Sequence, residues 1–168
     1  MPQGRRIGAQ ARMSSLMDLV AGDARDVVLA LSVDDAAAFS DADRFTAHLP
    51  LGGGLDPTWL DLFSEAVRSV TGQDEPVDFL DARTELDGVA GTTERIVERV
   101  DRDWVVAVAG VPDDLHGALA GRWIELLEEE LGLLPREEKP WIRDLAGRIV
   151  AFSRQAEGAR DVIFAWGF

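Results

Sequence analysis

Histidines and grouped acids are the side chains of this chain whose types could support chemistry. Histidine titrates near neutrality without perturbation, and the chain has two, His48 and His116. His48 lies just before residues 51–59, LGGGLDPTW, in which three glycines precede an Asp-Pro pair. A glycine loop ahead of a helix can bind phosphate through backbone N–H groups. His48 is therefore the candidate general base of a small-molecule site, with Arg44 and Arg143 as candidate anion contacts.

The glycine stretch nevertheless departs from phosphate-binding loops. No Lys-Ser or Lys-Thr pair follows it, and the spacing G-x-G-x-x-G is missing. Asp56 stands at the predicted N-cap of the next helix, where its carboxylate would repel a phosphate, and Pro57 removes an N–H donor. We interpret the glycines as a flexible approach to a helix, and no motif assigns a catalytic residue.

Acidic residues occur in groups that could share a proton or bind a divalent cation. These groups are Asp34 with Asp35, Asp101 with Asp103, Asp113 with Asp114, and Glu128 to Glu130. Three of them begin predicted helices, where capping and the helix dipole explain an acid, and the glutamate run is explained by a solvated helix face. Neither histidine has a partner at metal-ligand spacing, and cysteine is absent. We predict no metal and no cofactor.

Composition limits the partners that we expect. A chain of 168 residues with 46% hydrophobic and 29% charged residues is typical of one soluble globular domain. Its net charge of −14 repels nucleic-acid phosphates and anionic lipid headgroups, so we expect neither nucleic-acid nor membrane binding. Without cysteines or an apolar run of about 20 residues, the simplest expectation is a cytoplasmic protein, and the residue bias suits a GC-rich bacterial genome.

Residues 1–14 are expected to form a disordered basic tail, because they carry three arginines and lack the apolar segment of a secretion signal. Met13 is an alternative to Met1 as the start of the protein. Residues 15–168 are expected to form a single domain.

Apolar periodicity predicts helices over 56–71, 103–109, 113–131 and 141–156, and strands over 26–32, 95–100 and 161–168. A short helix is also predicted after Ser32, which can cap it, with acids in its first turn. Residues 44–51 are predicted to be extended, with Pro50 restricting them to a sheet edge or a loop. The core stripes of the last two helices are Leu115, Leu119, Trp123, Leu126, Leu127 and Leu131, then Trp141, Leu145, Ile149, Phe152 and Ala156. The predicted fold class is α+β, dominated by helices, with a small antiparallel sheet packed by the two long C-terminal helices.

The five tryptophans stand beside a complete absence of tyrosine. Four of them lie on helical faces that carry leucine or valine, so core packing is the ordinary explanation. Trp141 and Trp166 lie nearest to the ends of their elements, and partial exposure there would suit an interface.

The segment LDPTWLDLFSEAVRSVTG resembles part of the YfbM-like domains, an uncharacterised bacterial family. The matching positions are Leu55, Asp56, Trp59, Thr71 and Gly72. The C-terminal LAGRIVAFSRQAEGARDVIFAWGF is also similar to that family's closing helix and strand. The resemblance implies an α+β fold but transfers no activity, since the family has none securely assigned. Where the family has a lysine and histidines around the tryptophan, this chain has Pro57, Leu60 and Phe63.

These observations favour a non-catalytic protein-interaction domain that binds itself or another protein, because no motif supports catalysis and an acidic surface suits a selective interface. The alternative is a small enzyme or small-molecule-binding protein with a pocket near His48, between residues 44–57 and the C-terminal helices. A third hypothesis, an acidic mimic of nucleic acid, requires carboxylates arranged in phosphate-like rows.

Overall fold

The computed structural model describes residues 16–33, 36–52, 55, 57–81 and 96–167. The chain forms two compact units. The sheet unit comprises the residues up to Asp56, Leu80–Val100 and Gly158–Phe168, and the helical unit comprises Pro57–Phe79 and Asp101–Glu157. The predicted basic tail, the alternative start at Met13 and residues 82–95 lie outside the described residues.

Four strands of the described chain form one antiparallel sheet in the order β2-β1-β4-β3. They are β1 (Leu16–Gly22), β2 (Phe45–Gly52), β3 (Ile96–Arg99) and β4 (Asp161–Gly167). This sheet, together with the helices described below, confirms the predicted α+β class and the predicted antiparallel pairing. The strand predicted at the C-terminus is β4, which lies between β1 and β3 and carries both pairings.

Strand β2 is at the edge of the sheet, as Pro50 predicts. Buried and exposed residues alternate along it, and its pairing with β1 is irregular near each end. Near Thr46 the register skips one residue, so that Ala47 pairs with Ala21 while Phe45 pairs with Gly22. This bulge turns Phe45 to the same face of the sheet as His48.

Residues 26–32 are helical, and the strand predicted there is wrong. Helix α1 (Ala24–Ser32) begins after Asp23, whose carboxylate accepts the N–H of Arg25 at 2.9 Å. Asp161 of β4 accepts the N–H of Ala24 at 3.0 Å and also pairs with the guanidinium of Arg99 on β3. The β-branched valines favour a strand only weakly, and these long-range contacts at the helix start override that preference.

Helix α1 packs on one face of the sheet. Its buried residues join side chains of β1, β3 and β4 in one core cluster, completed by Phe39 of a short 3-10 helix (Ala36–Ser40) and by Phe45. The sequence-predicted helix after Ser32 is this 3-10 helix. The cluster contains Val20, Val27, Val28, Ala30, Phe39, Phe45, Val97, Ile163 and Ala165.

The helical unit contains α2 (Thr58–Thr71), α3 (Arg102–Ala109), α4 (His116–Leu131) and α5 (Lys139–Ala156). A 3-10 turn (Asp113–Leu115) precedes α4. Helix α2 packs on α4, α3 packs on α5, and α4 packs on α5. Gly72 ends α2 in the left-handed conformation with φ 74°, as its position after the apolar stripe predicts. That the two C-terminal helices also pack the sheet, and that both units form a single domain, stay predictions.

Aromatic side chains form the centre of the helical unit. Trp123 meets Trp59 edge-on with ring centroids 6.2 Å apart and meets Phe63 at 4.9 Å. Trp104 meets Phe79 at 4.8 Å. Trp104 donates its indole N–H to the Ser64 hydroxyl at 2.6 Å, and Trp123 donates its own to the carbonyl oxygen of Trp59 at 2.9 Å. The core interpretation therefore holds for these three tryptophans.

Two members of the predicted core stripes are exposed. Leu131, the last residue of α4, exposes 54% of its surface, and Trp141 in the first turn of α5 exposes 42%. The apolar stripe predicts that Trp141 is buried, but the neighbouring Ile142 is the buried residue in this turn. Both exposed residues lie next to the connecting loop, Leu131 at the end of α4 and Trp141 in the first turn of α5.

Candidate functional site

His48 is held by a carboxylate on the adjacent strand. Its Nε2 lies 2.8 Å from Oδ1 of Asp18, and the two side chains are 18% and 15% exposed. The sheet register explains the contact: His48 of β2 pairs with Val20 of β1, and Asp18 lies two residues before Val20 on the same face. Sequence reasoning identified His48 but missed Asp18, because no pattern predicted β1.

The surroundings of His48 are aromatic on one side. The ring of Phe39 lies 5.1 Å from the imidazole and 5.2 Å from the ring of Phe45, between centroids. Because Nε2 is engaged by Asp18, Nδ1 is the nitrogen through which His48 could meet a ligand, and no described residue hydrogen-bonds it. An imidazole oriented by a carboxylate can accept or donate a proton, so the pair is chemically able to act as a general base.

The other predicted ligand contacts are separate from this pair. Arg44 is exposed, and its guanidinium carbon lies 5.2 Å from the ring centroid of Phe45. Arg143 is exposed on α5, in the helical unit. Within the described residues, no contact joins either guanidinium to His48. Gly52 ends β2 with φ 78°, whereas Gly53, Gly54 and Asp56, the predicted N-cap, lie outside the described residues.

Three of the four predicted acid groups include a carboxylate with a structural partner, namely Asp101, Asp113 and Glu128, whereas Asp34 and Asp35 lie outside the described residues. Asp101 caps α3 by accepting the N–H of Asp103 at 2.8 Å. Asp113 accepts a hydrogen bond from Arg154 at 2.8 Å, and this guanidinium lowers the pKa of the Asp113 carboxyl. Arg154 also donates to the carbonyl oxygens of Ala109 and Val111, so it ties the α3–α4 connection to α5. Among the residues described, no cluster of three or more His, Asp or Glu side chains could hold a metal ion.

A shallow depression of about 170 Å³ lies between α2 and α3 in the helical unit. Its lining is mostly apolar; of its polar groups, Ser64 and Trp104 already bond to each other, and Gln73 supplies a neutral amide. With no titratable side chain in its lining, this depression offers no acid, base or charged contact.

The tryptophans predicted to be partly exposed differ in their surroundings. Trp166 is half-buried on β4, where it pairs with Ile96 of β3 and donates its indole N–H to Glu98 at 3.3 Å. Trp141 is exposed in the helical unit. The structure therefore places the two candidate interface residues in different units.

Trp141 belongs to an exposed apolar surface at the connection between α4 and α5. We name this the corner surface and define it as Leu131, Leu133 and Trp141. Leu133 exposes 92% of its surface, more than any other large apolar side chain of the described chain. Single exposed apolar residues are common on proteins, whereas these three large ones lie on one helix–loop–helix connection.

The corner surface is held in shape by Glu128. One of its carboxylate oxygens accepts the N–H of Leu134 at 3.2 Å, and the other lies 3.5 Å from Nζ of Lys139. Gly132, with φ 91°, donates its N–H to the carbonyl oxygen of Glu128 at 2.9 Å. The loop is thus tied to the last turn of α4 and the first turn of α5, which keeps the exposed side chains close to a fixed scaffold.

Within the described residues, the fold and these surfaces define an acidic α+β protein in which His48 is hydrogen-bonded to a carboxylate and the corner surface is exposed. Comparisons with protein-family models, curated proteins and solved structures find no match. The resemblance to YfbM-like domains therefore stays a prediction. In the part of the chain that the structure describes, no helix combines the length and apolarity that crossing a membrane requires.

Proposed function

We propose that this protein is a non-catalytic protein-interaction domain that binds its partner through the corner surface. The observation that carries the proposal is the nearly complete exposure of Leu133 beside Leu131 and Trp141. Large apolar side chains gain free energy when a partner removes them from water, by roughly 1.5–3 kcal/mol for a fully buried leucine. Tryptophan is also enriched among the residues that dominate binding energy.

The contacts that hold the loop of the corner surface in place support the same proposal. The hydrogen bonds from Gly132 and Leu134 and the ion pair of Lys139 all converge on Glu128. A loop that is already ordered loses less conformational entropy on binding than a free one. The acidic charge of the chain adds selectivity, because it disfavours partners that carry the same sign.

The test is quantitative affinity purification from the native host with the wild-type protein and with a Leu133→Glu, Trp141→Glu double variant. We expect a partner that the wild type retains and that the double variant loses by at least about tenfold, because a buried charge replaces apolar anchors. The matched control is Leu29→Glu, which changes a leucine that is 59% exposed on α1 in the sheet unit. Equal recovery of every retained protein with all three forms would overturn the proposal.

A second candidate function is supported by the bond between His48 and Asp18. An oriented imidazole whose second nitrogen has no hydrogen bond from the described residues suits a small enzyme or a small-molecule-binding protein, with Arg44 of the same unit as the anion contact that the sequence suggested. The 2.8 Å contact supports this candidate, because a carboxylate bonded to Nε2 fixes the orientation of the ring and leaves Nδ1 as the nitrogen that could meet a ligand.

Thermal-shift measurements with a broad metabolite panel test this second candidate. A ligand at a hundredfold excess over its Kd should stabilise the wild type by about 2.7 kcal/mol, and His48→Ala should lose that stabilisation. Asp18→Asn serves as the comparison, because it preserves shape while removing the carboxylate charge. The candidate fails if no ligand stabilises the wild type, or if His48→Ala is stabilised equally.

A further inference from the structure

The corner surface is surrounded by negative charge. Residues 125–144, which include the end of α4, the loop and the start of α5, contain seven carboxylates and three cationic side chains. Glu129, Glu130, Glu137 and Glu138 are all exposed. The apolar corner therefore has an acidic rim. An acidic rim favours a positively charged partner, whereas a neutral or mixed rim would not select partners by their charge.

Of the three cations in residues 125–144, Arg136 and Arg143 are exposed and have no ion-pair partner among the described residues, so they offset part of the acidic charge. Seven carboxylates against three cations still leave the rim net negative. Lys139 is engaged with Glu128, and Arg148 is engaged with Asp144 at 2.9 Å. Glu129 has a distant partner in Arg122 at 3.9 Å. Among the described residues, Glu130, Glu137 and Glu138 have no ion-pair partner. Unpaired carboxylates beside an apolar surface create a field that attracts positively charged groups.

Charge also decides between the possible occupants of the corner. A second copy of this chain would bring another net charge of −14, and the two acidic rims would face each other with the same sign. Anionic lipid headgroups and nucleic-acid phosphates are repelled for the same reason. A basic polypeptide is attracted to the rim and can also supply apolar side chains to the centre.

We infer that the corner surface binds a basic amphipathic segment of another protein, whose apolar side chains cover Leu133 and Trp141 while its lysines or arginines meet the surrounding glutamates. This inference rests on the proposed function and gives the chemistry of its partner. Such a complex would have the usual arrangement of an interface, with apolar side chains at the centre and charged side chains at the rim.

The probe is a fluorescent synthetic peptide of leucine and lysine that forms an amphipathic helix, and anisotropy measures its binding to the full chain. We expect at least about tenfold weaker binding when glutamate replaces every lysine, and the same loss when serine replaces every leucine. Binding should also weaken as ionic strength rises, because exposed charges are screened.

Protein variants locate the binding. The double variant Leu133→Ser, Trp141→Ser should bind the leucine–lysine peptide about tenfold more weakly. The control Leu29→Ser changes an exposed leucine on α1 and should leave the affinity for the peptide unchanged. The double variant Glu137→Gln, Glu138→Gln should also lower the affinity for the peptide. The control Asp74→Asn, Glu75→Gln removes two exposed carboxylates elsewhere and should lower that affinity less. Equal affinity for the corner variants and the wild type would overturn the inference, because the peptide would then be responding to net charge alone.

The experiments distinguish failure of this inference from failure of the proposed function. If affinity purification finds a partner that depends on Leu133 and Trp141 but the basic peptide does not bind, the corner is an interface with different partner chemistry. If neither a partner nor the peptide depends on these residues, the proposed function fails as well. Concentration-dependent dimerisation that Leu133→Ser abolishes would overturn the inference in favour of a second copy.

Discussion

Replacing Trp123 by alanine is expected to lower the free energy of unfolding by about 3–5 kcal/mol. Trp123 is fully buried in α4, and its ring has edge contacts with Trp59 and Phe63. The substitution leaves a cavity in the centre of the helical unit and removes the indole hydrogen bond to the carbonyl oxygen of Trp59. Because a domain of this size is stable by only about 5–15 kcal/mol, the loss is a large share of the total.

Denaturant unfolding followed by circular dichroism measures this effect. Trp141→Ala is the matched control, since it removes the same side chain from an exposed position, and we expect it to cost less than about 1 kcal/mol. Similar losses for the two variants would contradict the assignment of Trp123 to the core and of Trp141 to the corner surface.

Deleting residues 164–168 is expected to abolish the cooperative unfolding of the sheet unit, at a cost above about 5 kcal/mol. The deletion removes most of β4, which pairs with both β1 and β3 and includes the fully buried Phe164 and Ala165. Strand β3 would lose its partners for Ile96, Val97 and Glu98. Hydrogen exchange should report the loss of protected amides in β1 and β3.

A single substitution in β4 tests the contribution of a buried side chain while the backbone pairing of the strand is kept. Phe164→Ala retains the strand, so we expect a loss of only about 3–5 kcal/mol with cooperative unfolding preserved. A truncated protein with the melting temperature of the wild type would contradict the central position of β4.

Local signals explain which elements could be predicted. The long helices show repeated apolar spacing, and glycines at 72 and 132 mark the ends of α2 and α4. Pro50 predicted the edge position of β2 correctly. In contrast, residues 26–32 contain valines that weakly favour a strand, and one contact that stabilises the start of the helix comes from Asp161, far along the chain.

The candidate sites likewise contain some residues that the local sequence identifies and others that depend on contacts between distant parts of the chain. His48 could be found by residue type, but its partner Asp18 depends on the pairing of β1 with β2, which is not local. Trp141 was identified as partly exposed from its place near a helix end. Leu131 fits the apolar spacing of α4, and nothing in that spacing shows that the last residue of the helix is exposed.

Site-specific photo-crosslinking tests the proposed interaction function most directly. A benzophenone amino acid replaces Leu133 in the protein expressed in its native host, and a second version carries it at Leu29 as the control, because both side chains are largely exposed. The proposal predicts a discrete crosslinked partner from position 133 that is absent from position 29 and is lost when Trp141→Glu is added. The absence of any adduct specific to position 133, or identical adducts from both positions, would contradict it.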